Sequence, residues 1–196
     1  IEIFAKVNPL AMEPFHELAA GGVKEPVKEA QPFLAGFLSD KDRKGLLHEF
    51  DVVKSSGGTV DFDLATGDEL RSIEPTLSDA VACGVLLRGQ YFINPPKYAD
   101  SLATAVVKRG AELKTGFDVA EIQDTDNGVT VVSTRGGDAS QEFITADAVV
   151  IATGAWLDKL ARRFGVKAIV QAGRGYSFSV KPDVIPSHPV YFPTQR

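Results

Sequence analysis

The sequence is short of the residues that most often carry metal and nucleophilic chemistry. It holds one cysteine, one methionine, one tryptophan and three histidines in 196 residues. A single thiol, Cys83, excludes an internal disulfide and fits a reducing compartment. Set among Val81, Ala82, Val85 and Leu86, it reads as a buried, inert thiol rather than a nucleophile. His16, His48 and His188 have no ligand spacing, and no serine or cysteine stands in a nucleophile-elbow context. The acidic cluster Asp61, Asp63, Asp68 and Glu69 fails as a calcium loop, because Ala65 stands where a third oxygen donor belongs and Thr66 where the loop needs glycine. Positive charge is also scarce, with 21 Lys and Arg against 26 Asp and Glu, a net charge of -5. That balance excludes a nucleic-acid surface built on clustered basic residues. No apolar stretch approaches the roughly 20 residues of a membrane-spanning helix, and no signal peptide is visible. The chain opens on Ile1 rather than Met, with no cap or turn before its first segment, so it reads as an internal piece of a longer protein.

What is present is 44% apolar content, enough for a substantial core, and one unusual run. Residues 147–156, Asp-Ala-Val-Val-Ile-Ala-Thr-Gly-Ala-Trp, pass from a polar lead-in through five apolar residues to a glycine with small neighbours. The apolar stretch 148–152 is too short to span a membrane and too uniform for a half-exposed strand. It predicts a parallel strand buried on both faces. In open α/β sheets ligands bind beyond the carboxyl ends of strands, and Thr153, Gly154 and Ala155 would let backbone approach a flat or phosphorylated cofactor there. A tight strand-to-helix turn is the plainer alternative.

Around that run the pattern predicts further elements. A charged helix spans 40–56 with Leu46, Leu47, Phe50 and Val53 on one stripe, and a short strand follows around Val60, Phe62 and Leu64. Thr66 and Glu69 form a capping box that opens another helix. Asn94 and Pro95 start a helix that ends at Gly110. Strands are expected at 111–114 and 117–122, a hairpin turn at Asp126-Asn127-Gly128, and a returning strand over 129–134. A helix over 157–164 stops at Gly165. Tyr176, Phe178 and Val180 alternate with serines as a strand with one wet face. Gly173-Arg174-Gly175 begins a nucleotide-binding fingerprint, but Phe178 fills the third glycine position, so it is no phosphate loop. As a loop beside a pocket, Arg174 is an anion-contact candidate.

Several strings in fixed order resemble the D-amino-acid oxidase/dehydrogenase superfamily of FAD-dependent oxidoreductases, above all its bacterial D-amino-acid dehydrogenase-like branch. They are Asp68-Glu69-Leu70-Arg71-Ser72-Ile73-Glu74-Pro75-Thr76-Leu77, Gln90-Tyr91-Phe92-Ile93-Asn94-Pro95, Arg109-Gly110-Ala111-Glu112, Phe117-Asp118-Val119, the run from Ala146 to Trp156, and Gly173-Arg174-Gly175-Tyr176. The resemblance implies a mixed α+β and α/β architecture, with part of a flavin-binding Rossmann-like domain at 91–165 and an incomplete antiparallel-sheet substrate domain at 1–90 and 166–196. It implies FAD in the full-length protein and little or none held by this piece alone. Cofactor-side positions would be Val119, Ala152, Thr153, Gly154 and Trp156; Arg174 and Tyr176 would lie toward the substrate. The implied activity is oxidation of the C–N bond of a D-amino acid or related amine by hydride transfer to flavin. Glycine- or sarcosine-type amines, 2-hydroxy acids and a non-catalytic binding domain stay open as alternatives. The implied partners are a small-molecule amine and an undetermined electron acceptor. A cytoplasmic location follows, with peripheral attachment to the inner membrane left open. The family's phosphate loop, carboxylate-binding arginine and active-site tyrosines match no position here, so no catalytic residue is assigned.

Overall fold

The computed structural model describes residues 6–134, 141–167, 173 and 175–194. The chain divides into two compact units, one of residues 1–111 and 180–196 and the other of residues 112–179. The helix Pro95–Lys108 lies in the first of them.

The first unit is built on a four-stranded mixed sheet. Strands β1 (Lys28–Ala30), β2 (Phe33–Phe37), β3 (Phe62–Thr66), β4 (Cys83–Leu87), β5 (Gln90–Phe92) and β9 (Val190–Tyr191) belong to this unit. Their order in the main sheet is β3-β4-β2-β9, while β1 and β5 pair as a separate ribbon. β4 runs antiparallel to both β2 and β3, and β9 lies parallel to β2 with Leu34 opposite Val190. Leu34 to Phe37 are all buried because both faces of β2 are covered. On one side Ala35, Phe37, Cys83 and Val85 pack with Phe50, Leu46 and Leu47 of α2 (Asp40–Ser55). On the other, Leu34, Ala65 and Val81 pack with Leu70 and Ile73 of α3 (Gly67–Ile73). Period-3.6 stripes thus meet a period-2 strand from opposite sides. A third cluster joins α1 (Glu13–Ala20) to α4 (Pro95–Lys108) through Phe15, Leu18, Tyr98, Leu102 and Ala105, with the Phe15 and Tyr98 rings edge-on at 5.6 Å.

The helix starts follow their local chemistry. Ser39 accepts a hydrogen bond from the Asp42 amide, Asn94 accepts one from the Lys97 amide, and Thr66 with Glu69 closes a complete capping box. Cys83 is buried, and burial pushes its thiol pKa up, as an inert core thiol requires.

The second unit is an antiparallel meander, β6 (Val119–Thr125), β7 (Gly128–Thr134) and β8 (Gln141–Ala146), with a short helix α5 (Leu157–Ala161). The Asp126-Asn127-Gly128 hairpin forms as expected, pairing Thr125 with Gly128. A bulge interrupts the β6–β7 register between Val119 and Glu121. Arg163 donates to Glu121 at 2.8 Å, tying the segment after α5 to β6, and Gly165 ends that segment with φ 77°.

Three expected strands do not form. Residues 148–153 have no strand assignment, and Val149 and Val150 are 39% and 88% exposed, where burial on both faces was expected. A parallel strand exists only through ladder partners, and among the described residues no strand runs beside this segment. Residues 175–180 are likewise without strand pairing, and Tyr176 is 90% exposed. The stretch 111–114 is also irregular, and β6 begins only at Val119. In each case the alternation or apolar run was real, but the hydrogen-bonding partner that turns it into a strand is missing from the described residues.

Candidate functional site

The cofactor-side residues expected from sequence all fall within the second unit. Val119 opens β6 at the bulge and is half-buried. Thr153 caps the one-turn 3-10 helix Gly154–Trp156, whose Trp156 amide donates to the Thr153 carbonyl at 3.1 Å. That turn leads directly into α5, and Arg163 at the far end of the same segment binds Glu121, two residues from Val119. The same Arg163 hydrogen bond lowers the Glu121 pKa.

The local chemistry around Thr153 has the features of one wall of a ligand site. The Thr153 hydroxyl is buried with no hydrogen-bond partner, a state that costs about 1–3 kcal/mol for a polar group taken out of water. Gly154 has φ +55°, a left-handed conformation that favours glycine, and nothing lies within 4 Å of where a Cβ would project. Ala152 before it is exposed. An unsatisfied hydroxyl beside an open, side-chain-free surface fits a planar or sugar-like group laid against residues 152–154. No glycine-rich phosphate cradle occurs among the described residues, so this fit is to one wall only.

Trp156 is 73% exposed. Tyr176 stands free of the described secondary structure, and Arg174 lies outside the described residues. Thr153 and Gly154 are neighbours in the chain, and Tyr176 is 90% exposed.

Sequence reasoning passed over Glu74, the most elaborate polar site in the first unit. Its carboxylate is 1% exposed and accepts hydrogen bonds from five donors: the Thr76 amide and hydroxyl, the Ser187 amide and hydroxyl, and the His188 amide. The Ser187 amide stands at 2.7 Å and the His188 amide at 3.0 Å. The Thr76 hydroxyl bond, with those of Ser187 and His188, outweighs burial and holds the Glu74 pKa down to about 2. Ser187 and His188 run straight into Pro189, whose carbonyl receives the Leu34 amide at 3.0 Å, and then into β9. Glu74 is a structural clamp on that segment. The signal was a Glu before Pro75 that belongs to no amphipathic stripe, and only Ser187 and His188, more than a hundred positions away, reveal its role.

Among the described residues no group of three or more His, Cys, Asp or Glu side chains could hold a metal ion, and no helix is long and apolar enough to cross a membrane. A family model described as FAD dependent oxidoreductase matches residues 9–195. The chain belongs to this FAD-dependent oxidoreductase family. A glycine oxidase of Geobacillus kaustophilus is 32% identical over 120 residues, which are 61% of this chain and 30% of that protein. A D-amino acid dehydrogenase of Cereibacter sphaeroides is 29% identical over 147 residues, 74% of this chain and 32% of that protein. The solved glycine oxidase of Bacillus cereus shares the fold with a TM-score of 0.65 at 22% identity, covering 82% of this chain and 42% of that one. The chain spans about a third of the length of these curated relatives.

Proposed function

We propose that the chain is part of a flavoenzyme that oxidises the C–N bond of a D-amino acid or a related small amine. The observation that carries this reading is the family match across residues 9–195, together with relatives named D-amino acid dehydrogenase and glycine oxidase. Bound FAD would supply the acceptor for a hydride from the carbon that bears nitrogen. The part of this chain in the chemistry is positional. Residues 152–154 offer backbone and the Thr153 hydroxyl to one face of the cofactor, with Val119 on the neighbouring strand toward its adenine end. Trp156, exposed beside them, is a further cofactor-side residue. Arg174 and Tyr176 are the substrate-side candidates. The 1–90 and 166–196 segments serve as substrate domain and 91–165 as the cofactor-side domain.

A glycine- or sarcosine-type amine is the second reading, favoured by the 32% identity to a glycine oxidase. Anaerobic addition of D-amino acids, glycine, sarcosine and 2-hydroxy acids to the full-length protein separates the two. Bleaching of the oxidised flavin band by D-amino acids alone supports the first reading, and bleaching by glycine or sarcosine alone supports the second. A full-length protein that purifies without flavin, and gains no flavin absorbance when FAD is added, refutes both. The 196-residue chain by itself is expected to hold no stoichiometric FAD and to turn over no substrate.

A further inference from the structure

The hairpin between β6 and β7 carries a chemical instability that the flavoenzyme reading does not use. The sequence has three asparagines. Asn8 and Asn94 are each followed by proline, whose nitrogen has no hydrogen to lose and cannot attack a side-chain carbonyl. Asn127 is followed by Gly128, whose backbone nitrogen is unshielded by any side chain. We infer that Asn127 is a spontaneous deamidation site that converts to isoaspartate, with the Gly128 amide nitrogen as the nucleophile.

The geometry supports the chemistry. Asn127 is exposed at the hairpin tip and lines an open recess of about 430 Å³ with Thr125, Val129, Thr145, Ala146 and Asp147, so water reaches its side chain. Gly128 alone takes the positive φ of this turn, at 130°. In the reaction the Gly128 nitrogen gives up its proton and bonds to Cγ of Asn127, and the side-chain nitrogen leaves as ammonia. Water then opens the resulting succinimide. Opening at the main-chain carbonyl routes the backbone through Cγ and leaves a free α-carboxylate, which is isoaspartate. Opening at the other carbonyl gives aspartate. No oxidant or cofactor takes part.

The product cannot fit the present turn unchanged. A Cβ placed on Gly128 would lie 2.4 Å from the Ala146 carbonyl oxygen, so β7 already starts against the end of β8. Isoaspartate adds a backbone carbon at that point and a negative charge near Asp124, Asp126 and Asp147. The disturbance falls on Ala146 and Asp147, where the chain leaves the sheet toward residues 152–154.

The test is incubation of the intact chain at mildly alkaline pH, with trypsin mapping by mass spectrometry and isoaspartyl methyltransferase labelling. The inference predicts growth of a deamidated, methyl-accepting form of the peptide holding Asn127, faster at higher pH. Asn8 and Asn94 stay intact, and the product is absent from Asn127→Ser. Hydrogen exchange of the aged chain rises over 129–131 and 144–146, whereas Asn127→Asp, which adds charge without lengthening the backbone, leaves those amides near their starting protection. Asn127 remaining intact in the folded chain, under conditions that convert the isolated tryptic peptide, would overturn the site. Equal exchange in the aged chain and Asn127→Asp would overturn the backbone-lengthening effect. Neither readout depends on flavin, so failure here leaves the proposed oxidation untouched.

Discussion

Glu74 shows how one side chain can hold two distant stretches of sequence. Five donors converge on a carboxylate that water does not reach, and hydrogen bonds to a charged acceptor are each worth about 1.5–3 kcal/mol. Glu74→Gln replaces an ionised acceptor by an amide whose NH₂ end faces donors, and we expect it to lower unfolding stability by about 3 kcal/mol in urea titrations. The pH dependence has a definite sign. Glu74 is held near pKa 2 in the fold against 4.5 as the ordinary value, so its contribution is complete above pH 4.5 and is lost as pH falls toward 2. The wild-type chain should lose stability across that window more steeply than Glu74→Gln; parallel slopes would remove the clamp from the account. Thr153 makes a contrasting case. Replacing its unpartnered buried hydroxyl with valine is expected to stabilise this chain by about 1 kcal/mol. In the flavin-containing full-length protein the same change should weaken FAD retention, measured as flavin released on dilution. A full-length variant that keeps its flavin as well as wild type would take Thr153 out of the cofactor wall.

At the level of elements, local signals were readable where the chemistry was local. The Thr66–Glu69 box, the Asn94 cap and the Asp126-Asn127-Gly128 hairpin each involve residues within a few positions of one another, and each forms. Thr66→Ala is expected to cost about 1 kcal/mol in thermal or urea unfolding, because it removes the hydroxyl that accepts from the Glu69 amide at the start of α3, while the residue 66 amide still donates to Glu69. The stripe Leu46, Leu47 and Phe50 was legible for the same reason. Residues 148–152 show where sequence stops informing. Uniform apolarity announces that a segment belongs in an interior, yet says nothing of which strands supply its ladder. Tyr176 to Val180 fail likewise: alternation fits a strand, but the pairing edge is a property of other residues. The parallel β9–β2 contact had no local signature at all, since its two members lie at opposite ends of the chain. The buried-strand geometry that singled out Thr153 and Gly154 is not what the structure shows.

At the scale of the whole molecule, both units expose large apolar side chains, among them Val149, Val150, Trp156, Tyr176 and Phe178 in the second. This chain should therefore bind a hydrophobic dye such as ANS in its native state. Val150→Lys should reduce that fluorescence while leaving the thermal midpoint within a degree or two, since an 88% exposed side chain contributes little to the core. Unchanged dye binding in Val150→Lys would show that residues 148–152 are not the sticky surface.

The β2–β9 pairing also has a timetable. β2 leaves the ribosome well before the strand that covers its open side, which arrives only after the entire second unit has been made. At about 5–20 residues per second, that edge waits on the order of ten seconds with unanswered amides and carbonyls, a template for any passing strand. The arrival of Ser187 and His188 at Glu74 brings β9 against that edge of β2. A nascent chain stalled with Pro189 still inside the ribosome should accordingly draw chaperones in a way that one stalled after β9 has emerged does not.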